Sequence, residues 1–233
     1  MLSYLVRQHS IYRQFYQDRA REGDYIILDN SAHEFGSATH WEDLIELGEE
    51  LNVSEIVLPD RLFFGEDTYN MSKKAFKLLR SRSSRIRTMG APQGRTPQEF
   101  LRCLFKLLDL GVDTIGISKD FEVWPGGLRA LVEDVCRESN DVDIHLLGWG
   151  RDLRQLFLLG SCPWLRSRIR GVDSAKPIVF AAQGIRLPSS PWETLPAYPT
   201  RPDDFFSLAS IPEHLLLHNI SVFQAWAKGE IPS

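Results

Sequence analysis

Short β-branched runs alternate with amphipathic stretches along this chain. Apolar runs at residues 2–6, 25–29, 55–58, 85–89, 114–117, 143–147, 169–172 and 178–182 predict eight strands. Between them, apolar positions recur at helical spacing over 9–20, 41–51, 69–81, 97–110, 127–138 and 151–159. The helix beginning at Pro97 has a clear start, because Thr96 can cap it and proline suits the first turn. Gly111 is the matching stop. Strand and helix alternating up to eight times predict an α/β fold, a (β/α)8 TIM barrel in one domain over residues 1–233, with a doubly wound open sheet as the alternative. Residues 188–211 hold Pro188, Pro191, Pro196, Pro199 and Pro202 and predict an irregular excursion. A closing helix follows over 212–228, with Leu215, Leu216, Ile220, Phe223 and Trp226 at helical spacing.

Composition narrows the class. With 43% hydrophobic and 25% charged residues among 233, the chain can bury a sizeable core, which excludes disorder and coiled coil. No apolar run approaches the roughly 18 residues of a bilayer span. Arg7, His9 and Arg13 interrupt any apolar stretch of a signal peptide, so a cytoplasmic protein is expected. Cys103, Cys136 and Cys162 are widely spaced, which suggests buried thiols rather than a disulfide framework or a cysteine zinc site. The formal charge of −4 argues against coating nucleic acid by bulk charge and says little about a local basic face. Two basic clusters stand out. One comprises Lys73, Lys74, Lys77, Arg80, Arg82, Arg85 and Arg87, for which a solvated helix face at the barrel bottom is expected. The other includes Arg151 and Arg154, with Lys176 further on, and these three are the expected phosphate contacts.

Candidate chemistry collects just beyond the strands. Asp29, Asp60, Gln93, Gly116, Gly148 and Asp173 all follow or end a strand, and in a barrel such positions converge on one mouth. Aspartate is common there simply as a cap or turn former. Capping, however, does not require three strand-end carboxylates to face one cavity. Gln93, between Pro92 and Gly94, can donate to and accept from a heterocycle edge at once. Gly116 would let a flat ligand approach the backbone.

The order of these segments resembles the guanine transglycosylases, barrel enzymes that exchange guanine in a polynucleotide for a 7-deazaguanine, and most of all their small phage relatives acting on DNA. The family's Asp-Ser-Gly-Gly segment is similar to Asp29-Asn30-Ser31-Ala32, its base-recognising Asp segment to Leu58-Pro59-Asp60, and its Val-Gln-Gly segment to Pro92-Gln93-Gly94. Its Ile-Gly-Gly segment is similar to Ile115-Gly116-Ile117, and Leu-Met-Gly-Val-Gly to Leu146-Leu147-Gly148-Trp149-Gly150. The strand bearing the nucleophile resembles Gly171-Val172-Asp173, and a His-Asn helix start resembles His218-Asn219. The resemblance implies Asp173 as nucleophile and Asp29 as acid/base. It implies that Asp60 reads guanine N1–H and the exocyclic amine, with Asn30, Gln93, Gly94, Gly116, Leu147 and Gly148 around the base. The partners it implies are DNA, or alternatively tRNA, and a free base such as 7-cyano-7-deazaguanine. A phage-encoded enzyme of this kind would work in the host cytoplasm.

Departures from the family pattern carry their own expectations. The family's structural zinc is held by three cysteines and a distant histidine, and the stretch 192–204 has no cysteine. Since such a zinc needs four ligands, no metal and no cofactor are expected, and the barrel should be compact, without the zinc subdomain. His33 and Glu34 also replace the glycine and aromatic-glutamine pair preferred after the first aspartate. Two other functions stay open: a non-catalytic relative that only binds nucleic acid or a protein, and an unrelated small-molecule lyase or hydrolase using the same carboxylates.

Overall fold

Parallel strands alternate with helices over most of the chain. The computed structural model describes residues 1–149, 152–194 and 211–232. In chain order the elements are α1 (Ser3–Gln8), α2 (Ser10–Arg21), β1 (Ile27–Leu28), α3 (Ala32–Phe35), α4 (Trp41–Glu50), β2 (Glu55–Val57), α5 (Gly65–Ser81), β3 (Arg87–Gly90), α6 (Pro97–Leu110) and β4 (Thr114–Ser118). After a 3-10 turn at Lys119–Phe121 come α7 (Gly127–Glu138), β5 (Asp143–Leu147), α8 (Leu153–Gly160), α9 (Pro163–Arg166), β6 (Ile169–Val172), α10 (Lys176–Ala182) and α11 (Glu213–Ala227). Among the described residues the six strands form one sheet in chain order, β1 to β6, without the reversal that gives a doubly wound sheet its switch point.

Two of the eight expected strands are helices. Residues 2–6 contribute only a single parallel bridge, Leu2 to Asp29, before α1 begins. Ser3 and Val6, three positions apart and both buried, share one face of that helix. Residues 178–182 lie in α10, where Pro177 occupies the first turn with its missing N–H at no cost to the helix. α6 matches its expected bounds, with Thr96 Oγ1 accepting from Glu99 N at 3.2 Å and Gly111 in the left-handed region at φ 85°.

The chain divides into two compact units, residues 1–117 with 137–144, and residues 118–136 with 145–233. In the first, β1 pairs β2 with Leu28 opposite Ile56, β2 pairs β3 with Val57 opposite Met89, and β3 pairs β4 with Gly90 opposite Ile115, all parallel. Leu28, Ile56, Met89 and Ile115 are fully buried beneath Leu44, Leu79, Phe100, Leu104 and Leu107 of the helices. This register brings the segments following β1, β2 and β3 out at the same edge. In the second unit, Asp173 N donates to Leu146 O at 3.1 Å, aligning the segment after β6 with the end of β5. Its core holds Trp149, Leu153, Leu165, Phe180, Val222 and Trp226.

Three arginines of the seven-residue first basic cluster are held in ion pairs. Arg80 bonds Asp113 at 2.9 Å, Arg82 bonds Glu49 at 2.9 Å and Arg87 bonds Asp143 at 2.6 Å. Of residues 188–211, those from 195 to 210 lie outside the described residues, as does most of the 192–204 stretch. His218 Nε2 bonds Leu187 O at 2.9 Å. Buried Asn219 takes the N–H of Leu187 at 2.8 Å and gives hydrogen bonds to Ile185 O and Pro177 O, which ties α11 to the end of α10. No described helix is long and apolar enough to cross a membrane.

Candidate functional site

Each unit carries one polar cluster at its strand ends. In the first, three segments that emerge side by side meet on the Asp60 carboxylate. Asn30 Nδ2 donates to Asp60 Oδ1 at 2.8 Å and to Leu58 O at 2.7 Å, while Gln93 Nε2 donates to Asp60 Oδ2 at 2.7 Å. Asn30 Oδ1 in turn accepts from Ala32 N at 2.8 Å, and Gln93 Oε1 accepts from Phe63 N at 3.0 Å. Both amides are therefore oriented by backbone groups, so their N–H ends face the carboxylate. Asp29 Oδ1 accepts from Ser31 N at 2.6 Å, and the buried Ser31 hydroxyl meets Ser3 Oγ at 2.8 Å, which fixes the small-residue turn.

Asp60 is only 5% exposed. Burial pushes its carboxyl up to about 7, the Asp29 charge adding to the effect and the Asn30 and Gln93 donors opposing it. An ionised carboxylate has about four lone-pair positions, and besides the two amides Asp60 also accepts from its own backbone N–H. Gly94 has a packing role: a Cβ there would stand 2.4 Å from Phe100 N, so only glycine lets the loop press on the first turn of α6. Cys103 is buried and its thiol is raised to about 11 by that burial, which makes it an inert neighbour rather than a nucleophile. Gly116 is buried within β4.

The second unit presents a different carboxylate. The Asp173 side chain is 55% exposed, yet both oxygens are held. His145 Nε2 lies 3.2 Å from Oδ1 and Gly148 N donates to Oδ2 at 3.0 Å. The backbone is clamped as well, with Trp149 N on Asp173 O at 2.9 Å and Ser174 Oγ on Trp149 O at 2.7 Å. His145 Nδ1 is buried with no hydrogen-bond partner, so the neutral imidazole protonated on Nε2 is the form that leaves no buried N–H unpaired. The carboxylate is thus both partly exposed and held on each oxygen by a hydrogen bond.

Beside it, Gly148 adopts φ 61° and lies near the Lys119 ammonium, a Cβ built there standing 3.7 Å from Nζ. Lys176, expected to contact phosphate, is 9% exposed. Burial lowers its ammonium to about 8, Glu122 and Asp152 opposing and Lys119 reinforcing the shift. Glu122 Oε1 accepts from Asp152 N at 3.0 Å and Gln155 Nε2 at 3.2 Å. Leu147 ends β5 half-buried. Arg154 is exposed on the first turn of α8, and Arg151 lies outside the described residues.

Sequence reasoning brought out Asp60 with its partners Asn30 and Gln93, and Asp173 with its partner Gly148, and missed His145, Lys119 and Glu122. A polar His145 inside the apolar run of β5 was the available signal for one. Lys119 and Glu122 had none, since their place beside Lys176 depends on contacts far along the chain. Among the described residues no three His, Cys, Asp or Glu side chains gather as metal ligands.

No protein-family model and no curated protein matches the chain. Solved structures with similarity to it include the chloride-inhibited dihydrodipicolinate synthase from Acinetobacter baumannii complexed with pyruvate, at 16% identity and a TM-score of 0.44 over 64% of this chain. The chain spans about half of that synthase, 54% of its length. Another is the YdjI aldolase from Escherichia coli K12, at 12% identity and a TM-score of 0.42, covering 91% of this chain and 82% of the aldolase.

Proposed function

We propose that the protein is a nucleic-acid guanine transglycosylase that exchanges guanine in DNA for a 7-deazaguanine such as 7-cyano-7-deazaguanine. The reading treats the six-stranded parallel sheet as part of a transglycosylase-like barrel. The observation that carries it is the convergence of Asn30 and Gln93 on buried Asp60, a set of amides and a carboxylate matched to a purine edge. In this reading Asp173 attacks the anomeric carbon of the target nucleotide. The C1′–N9 bond breaks as the C1′–O bond to Asp173 forms, giving a covalent glycosyl-enzyme. Asp29 moves the proton needed by the departing guanine and removes the N9 proton of the incoming base, which then attacks C1′ from the vacated side. The target base must leave its stack to reach Asp60, which favours unpaired or distorted sites. tRNA is the alternative polynucleotide, and a binding-only relative the alternative role.

Incubation of the protein with DNA and radiolabelled 7-cyano-7-deazaguanine tests this: label enters DNA with the wild type and not with Asp173→Asn. Incorporation that persists in Asp173→Asn removes that residue from the nucleophile's role, and a covalent DNA adduct dismisses the binding-only alternative. A second reading, a small-molecule lyase, is favoured by Lys176, a mostly buried amine beside Glu122 and a second ammonium. Borohydride reduction in the presence of a keto acid would label Lys176 under that reading and leave it unmodified under the first.

A further inference from the structure

The loop that follows Asp60 is built at a conformational cost. Phe63 takes φ 66°, in the left-handed region that bulky side chains avoid, and it is 44% exposed. Its N–H donates to Gln93 Oε1 at 3.0 Å, so the same amide that grips Asp60 holds this backbone in place. Gly65 lets the loop lie against the Gln93 carbonyl, where a Cβ would approach to 2.6 Å. Thr68 Oγ1 closes the other end by accepting from Arg61 N at 3.0 Å and donating to Arg61 O at 3.2 Å.

Next to Phe63, the ring of Phe64 carries two guanidinium groups, Arg61 at 4.3 Å and Arg95 at 4.2 Å from its centroid. A cavity of about 250 Å³ opens along Phe63, Arg95 and Arg102, with Glu66, Asp67 and Glu99 also in its wall. Arg61 is neutralised by Asp67, whereas neither Arg95 nor Arg102 forms an ion pair among the described residues. An exposed ring such as that of Phe63, beside guanidinium groups that form no ion pair, suits a single strand of nucleic acid, since a base stacks on the ring and phosphates meet the guanidiniums.

We propose that Phe63 and Phe64, with Arg95 and Arg102, form a stacking platform for a base of single-stranded DNA adjacent to the one read by Asp60. This deepens the transglycosylase reading and rests on it for the identity of the neighbouring base. Phe63 is the stacking residue and Gln93 its support, which couples reading of the target base to placement of its neighbour.

The test is binding of a fluorescein-labelled oligo-dT, which contains no guanine and needs no base exchange, measured by anisotropy. Phe63→Gly should weaken binding about tenfold, the loss of roughly one base stack. The melting temperature should hold or rise, because glycine accepts the left-handed backbone freely. Phe63→Trp should restore affinity, and Arg95→Gln and Arg102→Gln should each reduce the salt dependence by about one phosphate contact. Wild-type affinity in Phe63→Gly, equal affinity of the wild type for a duplex, or no oligo-dT binding at all overturns the platform. The two readings fail separately. Exchange that survives while Phe63→Gly binds normally removes only the platform, and Phe63-dependent binding without any exchange removes only the transglycosylase.

Discussion

His145 Nε2 sits 3.2 Å from Asp173 Oδ1, at the end of a ring whose other nitrogen is packed against Gly171. A Cβ on residue 171 would stand 2.8 Å from His145 Nδ1, so the glycine sets where the imidazole lies and thereby where the carboxylate points. Gly171→Ala should displace the ring and, under the proposed function, lower kcat for base exchange about a hundredfold, the scale of an ångström's misplacement of a reacting group. KM should change little, and a circular dichroism spectrum like the wild type's checks that the fold is kept.

Asp60 gives both binding and stability a pH dependence. Its carboxyl titrates at about 7 in the folded protein and at 3.8 in the unfolded chain, so between those values the folded state binds more protons. Stability against urea should therefore fall as pH rises from about 4 to 7, by at most about 1.4 kcal/mol per pH unit from this group, and level off above 7. The proposed guanine binding should follow the opposite course. Both its N–H donors require the ionised form, so affinity measured by calorimetry should drop about tenfold per unit below pH 7. A flat binding profile would remove Asp60 from the base-reading role.

Lys176 should stand out among the lysines in chemical labelling. Titrating at about 8, its amine is largely neutral at pH 8.5, whereas exposed lysines are still charged. Brief treatment with an acylating reagent at that pH, read by peptide mass spectrometry, should modify Lys176 ahead of Lys73 or Lys77. Glu122→Gln removes the carboxylate that opposes the shift and should extend the reaction to lower pH. Because the folded state holds fewer protons than the unfolded chain between about 8 and 10.5, this group should add stability as pH climbs through that window.

Gly94 should prove structural. Gly94→Ala brings a methyl group to within 2.4 Å of the Phe100 backbone nitrogen, which cannot give way without shifting the start of α6. A loss on the order of 1–3 kcal/mol is expected in urea unfolding.

Asn219 should matter as much as a core aliphatic. Its side chain makes three hydrogen bonds to backbone groups of residues 177, 185 and 187. Asn219→Ala leaves those groups without a partner and should cost about 2–4 kcal/mol, with faster hydrogen exchange concentrated in 183–189. His218→Ala should cost less, since among the described residues one carbonyl at 2.9 Å is all it holds.

Much of this architecture can be read from the chain, and what cannot be read has physical reasons. β5 and β6 match their expected bounds because their β-branched and apolar runs are bounded by polar or glycine residues. Residues 2–6 carry a short apolar run that fits either period, and only the burial of Ser3 together with Val6 selects the helix. Pro177 was a readable sign of a helix start, outweighed by the β-branched Ile178 and Val179. At the sites, Asp60 and Gln93 are recognisable as strand-end groups. That Asn30 and Gln93 bind opposite oxygens of Asp60 is not, because it depends on the register of three strands.

The sequence by itself determined six of the strands, the main helices and most of the polar residues at strand ends, since hydrophobic period and turn chemistry are local properties. Only the tertiary structure decided how those residues behave. The burial that raises Asp60 and lowers Lys176, the His145 ring behind Asp173 and the left-handed Phe63 latched to Gln93 all arise from groups about 24 to 57 positions apart, brought together by strand pairing and helix packing. Desolvation and hydrogen-bond geometry are properties of that surrounding and not of the residue.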